Sequence, residues 1–373
     1  MSIPDSVEIN EGETSLIVPA VHSSGGPGKR IGKVFFNSQM AFNRDVSVML
    51  LRARPVQSAL DAMSGTGARA VRWGREIGGG MKVTANDRTP EAVEYISANI
   101  ALNRLEESCQ ASHDDLRSLL ARRAYDYIDI DPFGSPVPFI PAAMQAVKRH
   151  GVLGITATDT APLAGAHPRK CLRRYDAMSV RSPFGHETGL RILIGHLIKE
   201  AAKEDRGARC LLSFYADHYF RTYLQMEEGG AAADAALGKL GYIEYDKTTG
   251  KTTVSMEPIS HRSAGPLWLG PLHDSEILKD MNADETLAAA ARCKKYLKLW
   301  REEVDIPFFY ENDELSSLLH MSPPRMDRLL EQIGASGNVS RTHFSPTAFK
   351  TDLEFNDVLA IYRDIAGEVS GHH

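Results

Sequence analysis

Val56-Gln57-Ser58-Ala59-Leu60-Asp61-Ala62-Met63-Ser64-Gly65-Thr66-Gly67 is the stretch on which the fold turns. It reads as a short apolar strand, Val56 to Asp61, a glycine-containing loop, and the start of an amphipathic helix over Gly65 to Glu76. The alternation continues downstream. Lys82 to Asp87 reads as a strand, Pro90 to Asn103 as a helix with proline at its start, Tyr125 to Asp131 as a strand, Phe139 to Arg149 as a helix, and Val152 to Asp159 as a buried strand. Strands alternating with longer amphipathic segments are the mark of βαβ units, which predicts an α/β fold whose sheet is covered by helices. A long helix over Glu187 to Lys203 and a strand over Arg209 to Ala216 follow. Gly241 to Val254, with Lys247-Thr248-Thr249-Gly250 as its turn, reads as a hairpin able to close the sheet.

Gly265-Pro266-Leu267-Trp268-Leu269-Gly270-Pro271 is dense in glycine and proline, and the composition beyond it is richer in helical charge. This predicts a catalytic domain over 1–270 and a smaller α+β domain over 271–373. Within the latter, Asp313 to Leu319 and Pro324 to Ile333 read as helices and Asn338 to Phe344 as a strand. That spacing suggests a winged-helix-like part, a module that binds nucleic acid or serves as a packing unit.

Composition narrows the functional classes. With 373 residues, 43% hydrophobic and 24% charged, the chain can fill two packed cores and is not of a disordered type. It holds no run of about 18 apolar residues, and Met1 to Glu13 is polar and acidic, so neither a membrane span nor a signal peptide is indicated and a cytoplasmic protein is expected. Cys109, Cys171, Cys210 and Cys293 are scattered, without a CxxC pair, so buried reduced thiols are expected. The net charge of -5 weighs against a nucleic-acid partner, because phosphate contacts require lysine and arginine. Two local runs weigh the other way: His167-Pro168-Arg169-Lys170-Cys171-Leu172-Arg173-Arg174, and Arg292 to Arg301, which fits a helix with a basic face. Each is also compatible with a merely solvated face.

The chemistry lies at the strand ends. A Gly loop between strand and helix lets a ligand approach the backbone, and Asp87 ends the next strand about 20 residues on, where a carboxylate accepts ribose hydroxyls. Met63 stands where a first glycine is usual and no G-x-G-x-x-G is present, which favours S-adenosylmethionine over a dinucleotide. Asp131-Pro132-Phe133-Gly134 follows the apolar strand Tyr127-Ile128-Asp129-Ile130, at the sheet edge where such folds bind ligands. Methylating an amine conjugated to a purine requires an acceptor for the NH2 and an aromatic face for the base, and Asp131 and Phe133 supply both. Pro132 stiffens the turn. A plain strand-ending turn would use the same residues.

Taken together, Phe35-Phe36-Asn37, Phe42-Asn43-Arg44-Asp45, Ser64-Gly65-Thr66-Gly67-Ala68-Arg69-Ala70, Asn86-Asp87, Asp129 to Pro136, Asp217-His218-Tyr219-Phe220-Arg221, Gly265 to Pro271 and Ser340-Arg341-Thr342-His343-Phe344 closely resemble the tRNA (guanine-26,N2)-dimethyltransferase family. The resemblance spans most of the chain. It implies a class I, Rossmann-like methyltransferase domain with a mixed sheet, a C-terminal domain peculiar to the family, and transfer of one or two methyl groups to N2 of a tRNA guanosine between the D and anticodon stems. It further implies that Arg44, Asp61, Gly65, Gly67, Arg69, Asp87, Asp114 and Asp115 surround S-adenosylmethionine and that Asp131 to Gly134 form the base pocket. Asp131 is then the catalytic carboxylate, with Phe35 or Phe36 stacking on the flipped-out guanine. The basic runs and the C-terminal domain would grip tRNA phosphates. Many archaeal members carry a zinc-binding cysteine cluster before the Gly-Pro-Leu-Trp segment; here Ser255 to Ala264 has none, His261 alone cannot replace it, and no metal is expected. An amine methyltransferase acting on rRNA guanine or DNA adenine, or a non-catalytic RNA-binding protein, remains open from the residues, as does the oligomeric state, with a monomer favoured.

Overall fold

The computed structural model describes residues 3–23 and 33–370. A hairpin of β1 (Ser6–Glu11) and β2 (Thr14–Pro19) precedes helix α1 (Ala41–Ala53). Strands and helices then alternate: β3 (Ser58–Asp61), α2 (Ala68–Glu76), β4 (Lys82–Asp87), α3 (Pro90–Leu102), β5 (Cys109–His113), α4 (Leu116–Leu120), β6 (Tyr125–Ile130), α5 (Ile140–Ala146) and β7 (Val147–Ala157). Three helices, α6 (Thr160–Leu163), α7 (Pro168–Tyr175) and α8 (Gly185–Ala202), lead to the pair β8 (Arg206–Ala216) and β9 (Tyr219–Glu228) and to α9 (Gly230–Leu237). A small sheet of β10 (Leu240–Tyr245), β11 (Thr252–Ser255) and β12 (Ala264–Trp268) follows. Beyond it come α10 (Ser275–Asp280), α11 (Ala290–Glu302), β13 (Tyr310–Glu311), α12 (Asn312–Leu319), α13 (Met326–Gly334), β14 (Val339–Arg341), β15 (Ala348–Thr351) and α14 (Phe355–Ser370).

The main sheet has the order β5-β4-β3-β6-β7-β9-β8. It is parallel from β5 to β7 and antiparallel at β9 and β8. The expected α/β fold with a mixed sheet is therefore observed. The chain leaves β3 in one direction toward β4 and β5, then returns to lay β6 on the other side. That reversal opens a crevice at the carboxyl ends of β3 and β6, where Asp61 and Asp131 stand.

Two expectations are corrected. The hairpin at 241–254 exists as β10 and β11, but it pairs with β12 in the separate small sheet; the main sheet is closed instead by β8 and β9. Their turn is Asp217-His218, with Asp217 at a φ of 51°, a left-handed position that aspartate tolerates better than most residues. The helix read over 139–149 ends at Ala146 because Val147 pairs with Tyr125 of β6, and sheet pairing overrides the helical preference of Val-Lys-Arg. Strand β5, Cys-Gln-Ala-Ser-His, was not foreseen; it is short and its only apolar residues are the small Cys109 and Ala111. In the C-terminal unit, β15 pairs with both β13 and β14 beside α12 and α13, and the expected strand at 338–344 is limited to β14. The cysteine-free loop between β11 and β12 is held by Ser263 Oγ, which accepts from the Ile259 and Ser260 amides and donates to Glu244.

Both faces of the sheet are covered. Leu190, Leu193, Ile194 and Leu197 of α8 pack on Ile128, Leu153 and Ile155. On the other face lie Val46 and Leu50 of α1, Val71 and Trp73 of α2, Ile96 of α3, and Cys293, Leu297 and Trp300 of α11. Leu315, Leu329, Ile333, Phe349, Val358 and Tyr362 form a further small core in the C-terminal unit. Lys350 joins that unit to α8, its Nζ lying 3.1 Å from Glu187 Oε1 and 3.0 Å from Glu303 Oε1.

A buried ionic hub locks the N-terminal hairpin to these layers. Arg72, fully buried, reaches Glu76 at 2.8 Å, Glu11 at 3.0 Å and Asp45 at 2.6 Å. Arg44 meets the same Glu11 carboxylate at 2.6 and 2.5 Å. Asp45 in turn accepts from the amides of Ala288 and Ala289, just before α11. Burial alone would raise the Glu11 pKa, but the two guanidinium groups hold it below the usual carboxylate range. Removing one partner from such a cluster strands the others, so Arg72→Met is expected to destabilise the fold by about 3–5 kcal/mol in urea unfolding. A loss under about 1 kcal/mol would show that the hub does not act as a unit.

Candidate functional site

The carboxyl ends of β3, β4 and β6 border a cavity of about 370 Å³. Its floor is the loop after β3. Ser64 N donates to Asn86 O at 2.8 Å, and Gly65 N donates to Asp87 Oδ2 at 3.0 Å. The other Asp87 oxygen accepts from Thr89 N and Oγ1, both at 2.9 Å, so this carboxylate fixes both loop and strand end. Gly65 has a φ of +55°, and a Cβ there would lie 2.8 Å from Phe35 O; glycine is what allows the 35–37 segment to close over the loop.

Behind the cavity runs a row of charge. Asp129, in the middle of β6, is 0% exposed; it receives Arg221, and Arg69 Nε lies 3.5 Å away. Tyr127 Oη donates to it at 2.5 Å. The register sets Asp129 between Asp61 of β3 and Gly154 of β7. A Cβ at Gly154 would lie 2.8 Å from Arg221 Nη2 and 2.9 Å from Asp129 Oδ2, so the ion pair depends on glycine at that point. Burial would push the Asp129 pKa up, but Arg221 and Arg69 hold it below the usual range. Arg69 continues the row outward, donating to Asp131 Oδ2 at 2.5 Å and to Asn43 at 2.8 Å.

Asp131 opens the turn Asp131-Pro132-Phe133-Gly134, and its side chain is 19% exposed. Oδ1 has no partner among the described residues, whereas Oδ2 is occupied by Arg69. Gly134 N donates to Thr158 Oγ1 at 2.7 Å, and Thr158 N returns to Gly134 O at 3.0 Å. Ser135 Oγ donates to Tyr175 Oη at 2.9 Å, which donates to Asp159 at 2.6 Å. Phe133 is 59% exposed, and Phe35 meets it edge-on with ring centroids 4.7 Å apart.

The sequence-predicted residues converge. Phe35, Phe36, Arg44, Asp61, Gly65, Arg69, Asp87, Asp114, Asp115, Asp131, Pro132 and Phe133 all border the cavity. Gly67 lies behind it as the cap residue of α2, and Gly134 lies on the far side of the turn. The two phenylalanines differ, because Phe36 is buried beside His22 and Arg44 while Phe35 reaches the turn. Arg44 is already paired with Glu11 and Arg69 with Asp131, so neither guanidinium is idle. Asp115 caps α4, and Asp114 pairs with Arg122. Sequence reasoning assigned no role to Asp129, Arg221, Asn86, Thr158 or Tyr175. The available signal was charge inside otherwise apolar strands: Asp129 in β6 and Arg221 in β9.

The site has the donors and acceptors a nucleoside cofactor requires. Asp61 Oδ2 and Asn86 Oδ1 are buried with no hydrogen-bond partner among the described residues, beside a loop whose backbone a ligand can approach.

Comparison with known proteins follows the same line. A family model described as N2,N2-dimethylguanosine tRNA methyltransferase matches residues 14–363. The tRNA (guanine(26)-N(2))-dimethyltransferase of Pyrococcus abyssi is 38% identical over 371 residues, covering 94% of this chain and 96% of the relative. That of Methanoregula boonei is 38% identical over 363 residues, covering 93% and 96%. The structure of Trm1 from Pyrococcus horikoshii with S-adenosyl-L-methionine superposes with a TM-score of 0.89 at 36% identity, covering 95% of this chain and 99% of that one.

Asp61 offers a test that needs no ligand. Burial, with Asp129 nearby, pushes its carboxyl up to about 7 against the opposing pull of Arg69. The unfolded chain therefore ionises first, and this residue's contribution to stability falls as pH rises from about 4 to about 7. Asp61→Asn mimics the protonated form, so its melting temperature should match the parent near pH 4 and exceed it progressively up to pH 7. The gap should then level off at a few kcal/mol of stability. A gap independent of pH would overturn this account.

Proposed function

The chain belongs to the N2,N2-dimethylguanosine tRNA methyltransferase family, and from that membership we propose that it transfers one or two methyl groups from S-adenosylmethionine to the exocyclic N2 of guanosine 26 in tRNA. The observation that carries this reading is Asp131: one oxygen is fixed by Arg69, and the other has no partner among the described residues at the rim of the cavity.

S-adenosylmethionine, when bound, supplies an electrophilic methyl group on a sulfonium. The residues suited to hold it are Asp87 for the ribose hydroxyls, the Gly65 loop for close backbone approach, and Asp114 or Asp115 for the adenine amine. Arg44 and Arg69 are cations of the site, with Lys33 and Arg88 also on its lining, and Asp61 and Asn86 hold acceptors unpaired among the described residues.

On the substrate side, a guanosine inside folded tRNA must leave its stack to enter such a cavity. Phe133, exposed and braced by Phe35, offers an aromatic face to receive it. Asp131 Oδ1 then accepts a hydrogen bond from the N2 amine and localises the nitrogen lone pair. Because Arg69 keeps the carboxylate anchored, the acceptor is oriented before the base arrives. The N–C bond would form as the sulfonium S–C bond breaks and leaves a neutral thioether; the nitrogen would become cationic, and Asp131 Oδ1 would take its surplus proton along that hydrogen bond. Pro132, without an N–H, adds no competing donor to the turn.

No helix among the described residues is long and apolar enough to cross a membrane.

The reading is tested by methyl transfer from labelled S-adenosylmethionine to unmodified tRNA, with nucleoside analysis and a tRNA in which guanosine 26 is replaced. Labelled N2-methylguanosine that disappears with the replacement is expected. Label retained in the replaced tRNA, or none in either, would refute the assignment. Asp131→Asn should reduce transfer by at least about 100-fold while leaving cofactor affinity within a few-fold. Asp87→Ala should chiefly weaken the cofactor, and equal loss of cofactor binding in both variants would undo the division of roles.

A further inference from the structure

The two basic runs of the sequence have opposite fates in the fold. In α11, Arg292 is held by Asp217 through two bonds of 3.0 Å, Lys294 pairs with Glu285, and Lys298 lies 3.9 Å from Glu302. Arg301 is spent on the carbonyl oxygens of Leu278 and Met281. Most of that run is thus paired, Lys295 being the exposed cation left without an ion pair among the described residues. In α7, by contrast, Arg169, Lys170 and Arg173 are exposed, and among the described residues their side chains make no ion pair and no hydrogen bond. The helix, Pro-Arg-Lys-Cys-Leu-Arg-Arg-Tyr, contains no carboxylate. Arg169 and Arg173 are four residues apart and Lys170 and Arg173 three, so on one helix face these like charges repel. Among the described residues no ion pair offsets that repulsion.

The opposite side of α7 is tied to the base turn. Cys171 and Tyr175 are fully buried. Tyr175 Oη accepts from Ser135, the residue after Gly134, and donates to Asp159. Arg174 donates to the other Asp159 oxygen at 2.7 Å, and the neighbouring Thr158 holds Gly134 through two hydrogen bonds. The helix is thus braced at a fixed offset from Asp131, with its unneutralised face outward.

We propose that this face of α7 is the phosphate-binding surface that holds the polynucleotide backbone beside the extruded nucleotide, with Arg169, Lys170 and Arg173 as its contacts. The inference rests on the reading that tRNA is the substrate. Phosphate contacts of this kind set position and affinity without reading sequence. Their counterions are released on binding, which makes affinity fall with salt. Leu172, 45% exposed between the cations, adds an apolar surface for a ribose or an unstacked base edge.

The test compares R169Q/K170Q/R173Q with K294Q/K298Q on α11, using unmodified tRNA and measuring KM for tRNA, kcat, salt dependence and S-adenosylmethionine affinity. The α7 variant should raise KM for tRNA at least about 10-fold and flatten the log-log salt slope by about 2–3. Its kcat at saturating tRNA, its cofactor affinity and its melting temperature should stay near the parent values. The α11 variant should leave KM within about threefold and the slope unchanged. Parental KM and slope in the α7 variant would overturn the proposal, and so would an equal loss in the α11 variant, which would reveal only an overall charge effect. Failure of the underlying reading shows separately, as a parent enzyme that transfers no label to tRNA, and it removes the proposal too.

Discussion

The Asp129 carboxylate, wholly buried in the central strand of the sheet, can exist there as an anion only because Arg221 and Arg69 approach it from two sides. The rest of the site is arranged around that requirement. Arg221 arrives from the antiparallel strand β9, so the sheet has to be closed by β8 and β9 for the charge to be met. Gly154 leaves the space through which the guanidinium enters. Arg69, fixed at the start of α2, spans from Asp129 to Asp131 and so carries the electrostatics of the core out to the surface turn. Orientation of the outermost carboxylate is therefore a property of four strands and a helix, not of the turn alone.

A second buried cluster does for the layers what this row does for the site. Arg72 and Arg44 gather Glu11, Asp45 and Glu76, and Asp45 extends the cluster to the amides before α11. The segment that follows the hairpin, Phe35 to Asn37, closes over the Gly65 loop, and Arg44 donates to Asn37 O at 3.1 Å. The N-terminal residues are thus part of the cavity wall because a buried ion cluster holds them there. In both clusters a removed partner would leave an uncompensated charge, which is why such groups specify one arrangement even where they add little net stability.

Much of this was legible in the residues. The short apolar runs and the amphipathic stretches between 56 and 159 identified the strands and helices that carry the site, since apolar burial on both faces of a parallel sheet leaves a strong imprint. The loop at 61–67, Asp87 and the turn at 131–134 were recognisable because their chemistry is local: a glycine loop, a strand-end acid, and a stiff acid-aromatic turn. Legibility failed where identity depends on a distant partner. Strand β5 is short, with only the small Cys109 and Ala111 as apolar residues, and β9 was hidden behind an Asp-His turn. The two basic runs look alike as sequence, yet Asp217 and Glu285 pair with cations of one, whereas in the other only Arg174 has an acidic partner, Asp159, among the described residues.

The sequence by itself determined the α/β class, the glycine loop that follows Asp61 and the acid-aromatic turn at Asp131, because each follows from neighbours a few residues apart. Only the tertiary structure decided which oxygen of Asp131 is left without a partner among the described residues, which phenylalanine faces the turn, and which basic run keeps Arg169, Lys170 and Arg173 unpaired among them. Those outcomes depend on ion pairs and contacts between residues tens to hundreds of positions apart, and such partners leave no periodic trace in the chain.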